Sequence, residues 1–127
     1  MPAVARYLLL PLWAALTVPS FPAAAQNRLG MAELKALISG NTVHFEEIST
    51  GRGGRAHHAA SGQIEVLRDD GGTFSGLWSV SADGSHCMIV SNEICSRIEK
   101  NADGSYTRVI NGVPSFRWTK ITPGKDF

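Results

Sequence analysis

The sequence predicts an all-β fold: an antiparallel meander forming a small barrel or a strongly curved sheet, with one short N-terminal helix. Three observations predict it. From Thr42 onward, short runs of alternating character are separated by Gly-, Asp- and Asn-rich turns. Those turns are too short for crossover helices, so sequential strands must be antiparallel neighbours. Ahead of them stands a single stretch of helical period.

The chain opens with the three parts of a secretory leader. Met1 to Arg6 carries one positive charge, Tyr7 to Val18 is apolar and uncharged, and Pro19-Ser20-Phe21-Pro22 leads into Ala23-Ala24-Ala25. Small residues before the cut suit a signal peptidase, which places cleavage before Gln26. The expected organisation is a cleavable leader over 1–25 and a single β-rich domain over 26–127. The apolar run, interrupted by Pro11, is shorter than the roughly 20 residues that span a bilayer. No cysteine lies near the cut, which argues against a lipid anchor.

In the helix, Met31, Leu34, Leu37 and Ile38 share a face, and Ser39-Gly40-Asn41 supplies the stop. Thr42 to Glu46 alternates, putting Val43 and Phe45 on one side. Gly51-Arg52-Gly53-Gly54-Arg55 reads as a flexible loop. Ala56 to Ala60 and Gln63 to Arg68 follow as strands around Ser61-Gly62. After Asp69-Asp70-Gly71-Gly72, the run from Phe74 to Val80 sets Phe74, Trp78 and Val80 on a common face, with Gly76 leaving room for a neighbour. His86 to Val90 and Ile94 to Ile98 flank Ser91-Asn92-Glu93. Tyr106 to Ile110 ends at Asn111-Gly112, the strongest hairpin signal in the chain, since a type I′ turn needs φ > 0 at both positions. The last strand carries Phe116 and Trp118 on one side.

Cys87 and Cys95 lie symmetrically about Ser91 and would face each other across that hairpin. An even cysteine count in an exported chain predicts a disulfide between them. A thiolate metal site would want CxxC spacing, which is missing.

Charge narrows the functional classes. Twelve basic residues stand against eleven acidic ones, and cleavage would remove Arg6, leaving a domain near neutrality. A nucleic-acid binder needs a basic stripe that releases counterions, and electrostatic membrane docking needs one too. Neither nucleic acid nor stable membrane insertion after cleavage is therefore expected.

Gly40-Asn41-Thr42-Val43 after a short helix, Gly76-x-Trp78-x-Val80, Asp83-Gly84-x-x-Cys87, Cys95, Asp103-Gly104-x-Tyr106 and Ile121-x-x-Gly124 occur in this order. The set resembles small secreted proteobacterial domains of unknown function built on a GNT…GxW…C…C…DGxY framework. The resemblance implies a periplasmic β-domain with a disulfide and implies no activity. The chain departs from that pattern at Ala56 to Gly62, where such domains often carry an aromatic residue with Asp-Gly.

The candidate chemistry is sparse. His57 and His58 are strand neighbours and point to opposite faces, so they cannot serve one ion; solvated histidines are expected. His44 and Glu46 share a face at i, i+2, a workable pair of metal ligands. Arg52 and Arg55 on the glycine-rich loop suit a carboxylate or phosphate, but the GxxxxGK[ST] pattern of a phosphate-cradling loop is absent. No paired carboxylates, nucleophile elbow or free thiol marks an enzyme. Trp78, Trp118, Phe74, Phe116 and Tyr106 read first as core.

The expectation is a non-enzymatic binding or accessory module of the cell envelope, periplasmic or secreted, with no cofactor. It would recognise a protein or small-molecule ligand through the barrel mouth or a loop surface. One alternative is a periplasmic enzyme inhibitor that inserts the Arg52–Arg55 loop. Another is a metal-dependent enzyme or metal carrier using His44 and Glu46.

Overall fold

A computed structural model describes residues 27–127; the expected leader lies outside the described residues. Helix α1 (Met31–Ile38) is followed by eight strands: β1 (Asn41–Glu47), β2 (Gly53–His58), β3 (Gln63–Arg68), β4 (Thr73–Val80), β5 (His86–Ile89), β6 (Glu93–Lys100), β7 (Tyr106–Ile110) and β8 (Val113–Pro123). Each pairs antiparallel with the next, and β1 pairs with β8 from Asn41↔Pro123 to Glu47↔Phe116. The meander is therefore a closed barrel without a free sheet edge. Among the described residues, no helix is long and apolar enough to cross a membrane.

The helix serves as a plug. Its N-cap is Gly30, whose amide donates to Glu33 Oε1 at 3.4 Å. It ends where Gly40 takes φ 78° and donates its amide to the His58 carbonyl at 2.6 Å. Leu34 and Ile38 are fully buried, and Leu29 joins them through a backbone bond to Ile98. These side chains close the end of the barrel at which β1 starts. Val43, Ile64, Trp78, Val80, Ile98 and Trp118 continue the core inward from there.

The turns follow their sequence signals. Asn111 (φ 50°) and Gly112 (φ 77°) both have positive φ, as the type I′ reading requires. Cys87 and Cys95 are register partners in β5 and β6 and form a disulfide. Gly76 is a packing requirement: a Cβ there would sit 2.1 Å from the Ile89 carbonyl oxygen.

The glycine-rich loop differs from expectation. Its first two residues are turn, but Gly53, Gly54 and Arg55 belong to β2, which ends at His58 rather than Ala60. Gly54 is buried, and a Cβ there would meet the Phe45 ring and the Leu67 carbonyl oxygen, each at 2.7 Å. Glycine at this point provides close approach across the barrel wall rather than loop freedom.

Candidate functional site

Strand parity turns Phe45, Ala56, His58, Val66, Phe74, His86, Met88, Arg108, Phe116 and Trp118 toward the interior, where they line a cavity of about 90 Å³. It opens away from α1, toward the end where the β1–β2 and β3–β4 turns lie. There a vestibule of about 540 Å³ is bounded by Glu47, Arg52, Asp69 and Asp70. Phe45, Arg68 and Phe116 line both spaces, so vestibule and cavity adjoin at a collar of two aromatic rings and a guanidinium. The rings meet edge to face, with centroids 5.8 Å apart. Arg68 lies over the Phe74 ring.

Below the collar the interior is polar in an unusual way. His58 and His86, each only 1% exposed, meet Nε2 to Nε2 at 2.9 Å. Trp78 and Trp118 pack edge-on against them, Trp78 at 5.2 Å from the His58 ring and Trp118 at 5.3 Å from that of His86. Burial pushes the His58 imidazole down to about 3, and it holds His86 well below its usual value, with His58 and Arg108 adding to the effect. Both rings are therefore neutral near pH 7, so each offers one donor and one acceptor.

Their hydrogen bonds select the tautomers. His58 Nδ1 lies 3.3 Å from the Ala56 carbonyl oxygen, which can only accept. His58 is thus protonated at Nδ1, its Nε2 accepts, and His86 Nε2–H donates. His86 Nδ1 is left as a bare, buried lone pair without a partner. The opposite assignment would strand a buried N–H and set the His58 lone pair against a carbonyl.

Arg108 carries the interior charge. It is 8% exposed on β7, its Nε donates to Ser96 Oγ at 2.9 Å, and its guanidinium lies over the Phe116 ring at 5.4 Å. Burial lowers its pKa to about 10, which leaves it protonated at neutral pH. Among the described residues, no carboxylate pairs with it. Its terminal nitrogens make no hydrogen bond to these residues and are not fully sealed, so they remain open to the cavity that Arg108 lines.

The residues singled out from sequence separate into two places. Arg52 is exposed and borders the vestibule. Arg55 and His44 lie on the outer wall, bound to the C-terminal tail. His44 Nε2 meets Asp126 Oδ2 at 2.7 Å, and Arg55 Nη1 donates to the Asp126 carbonyl at 3.0 Å. The Thr122 hydroxyl donates to the same carboxylate, holding it below its usual range, and His44 adds to this. Glu46 is exposed and makes no side-chain bond to His44. No group of three or more metal-ligating side chains gathers among the described residues.

The expectation of solvated histidines fails at His58 and His86, because β-parity shared with Ala56 and Met88 sends both rings inward. Arg108 was not singled out, although its alternation with Tyr106 places it on the same face. The chain matches no family model, no curated protein and no solved structure, so the functional reading rests on this geometry.

Proposed function

We propose that the protein is a non-enzymatic binding module of the cell envelope, exported by its leader, that takes a small molecule into the barrel through the mouth opposite α1. The observation that carries this reading is a cavity adjoining a vestibule at one end of a barrel whose other end is plugged. Concave, largely apolar sites with a few fixed polar groups are where small ligands bind. The cavity lining is largely apolar, with His58, His86, Arg68 and Arg108 as its polar groups. Its two histidines are engaged with each other.

The inhibitor alternative keeps Arg52 at the rim but loses Arg55, which is tied to the tail. The β1–β2 turn is also short and internally bonded, with Thr50 Oγ1 donating to Glu47 Oε1 and Glu47 N–H to the Arg52 carbonyl. It lacks the reach of an inserting loop.

Filling the cavity tests the reading. Ala56 lines it and is nearly inaccessible to solvent. Native mass spectrometry of protein isolated under gentle conditions should show a bound small molecule in the wild type and none in Ala56→Leu. An Ala56→Leu protein that folds normally and retains the same adduct would refute cavity binding.

A further inference from the structure

We propose that the barrel interior is a carboxylate site, taking a singly charged organic acid with a short apolar body whose oxygens rest on the Arg108 guanidinium. This rests on the reading of the interior as a ligand site and specifies its chemistry.

Arg108 is more than nine-tenths buried, yet no acid among the described residues neutralises it. Its one side-chain bond, from Nε to Ser96, anchors the root of the guanidinium and leaves the terminal nitrogens to the cavity that Arg108 lines. A planar fork of N–H donors matches a carboxylate in bidentate fashion. The acids nearest the path, Glu47, Asp69 and Asp70, border the vestibule and are absent from the cavity lining. Arg52 and Arg68 border the same vestibule, so its charges nearly balance, with one negative charge in excess.

The rest of the lining decides what the anion is attached to. Val66, Phe74, Met88, Phe116 and Trp118 give apolar walls, which favour a hydrocarbon body over a hydrated inorganic ion. A volume near 90 Å³ admits the carboxylate and a few carbons, and the remainder would extend through the collar into the vestibule. The same guanidinium argues against a metal ion on the histidine pair, since a cation there would face an unscreened positive charge.

The test uses the folded, disulfide-bonded chain and isothermal titration at neutral pH with straight-chain carboxylates from butanoate to decanoate and with benzoate. Each is compared with its uncharged alcohol or amide. The expected result is binding of at least one acid at least tenfold tighter than its uncharged partner, with that preference lost in Arg108→Met and partly kept in Arg108→Lys. Folding of Arg108→Met is checked by its thermal transition, which should lie at or above that of the wild type. Equal binding of acid and uncharged partner, or an acid affinity unchanged in Arg108→Met, would overturn the carboxylate assignment and leave the cavity reading standing. Binding of neither acids nor uncharged partners would overturn both.

Discussion

The two ends of the barrel are built from the same meander but obey different rules. At the plugged end, Leu29, Leu34 and Ile38 pack into the core, and backbone bonds such as Leu29 N–H to the Ile98 carbonyl tie the plug to the wall. At the mouth, aromatic rings border open volume, and arginines lie over the faces of Phe74 and Phe116. One end is optimised for stability. The other leaves apolar surface and a charge uncovered, as binding sites do when function competes with stability. Between them, the paired histidines mark the depth at which the close-packed core gives way to the site.

That contrast can be broken most forcefully with acid. His58 and His86 are neutral in the folded barrel but bind protons below about 6.5 once unfolded. Stability should therefore be complete above that value and fall as pH drops, by about 2 kcal/mol at pH 5 from His58 alone, with His86 acting in the same direction. For His58 the decline continues toward its folded value of about 3. Urea titrations from pH 7.5 to 5 measure this, and a flat profile would contradict the buried neutral pair. Truncation contrasts the ends directly. Ile38→Ala should lose about 2–5 kcal/mol, whereas Phe74→Ala at the partly open mouth should lose about 1–2 kcal/mol. Equal losses would mean that the mouth packs as tightly as the plug.

Reducing the Cys87–Cys95 bridge should cost about 2–3 kcal/mol, read as a fall in midpoint with reductant, because it closes only a short loop. Arg108→Met should move the other way, leaving the midpoint at or above that of the wild type, because it removes a largely buried charge that no carboxylate among the described residues neutralises. A destabilised Arg108→Met would show that this residue belongs structurally with the plug. The smallest effect is expected at the exposed Lys125–Glu65 pair, where Glu65→Gln should leave the midpoint unchanged.

Much of the architecture was legible because it depends on local signals. Turn residues, period-two alternation and the symmetric cysteines determine strand order and register nearly by themselves. Closure was not fully legible, because the pairing of β1 with β8 joins distant segments and has no local signature. The glycine-rich loop misled for a related reason: Gly54 answers to the Phe45 ring across the wall, a contact that composition does not encode. The site was the least legible part. His44, Glu46, Arg52 and Arg55 attract notice as polar residues in order, whereas the interior polar set is scattered over β2, β5, β6 and β7. Absolute face assignment would have been needed to gather His58, His86, Ser96 and Arg108, and adjacent His57 and His58 gave no sign of which ring faced inward.

The seam between the first and last strands sets when this protein can fold. Its long-range register cannot form until the C-terminal strand is available, so no partial chain from the N-terminal side can complete the cylinder. Until β8 has been made, a growing polypeptide of this design leaves β1 with an open edge, and the interior takes shape only when these two strands meet.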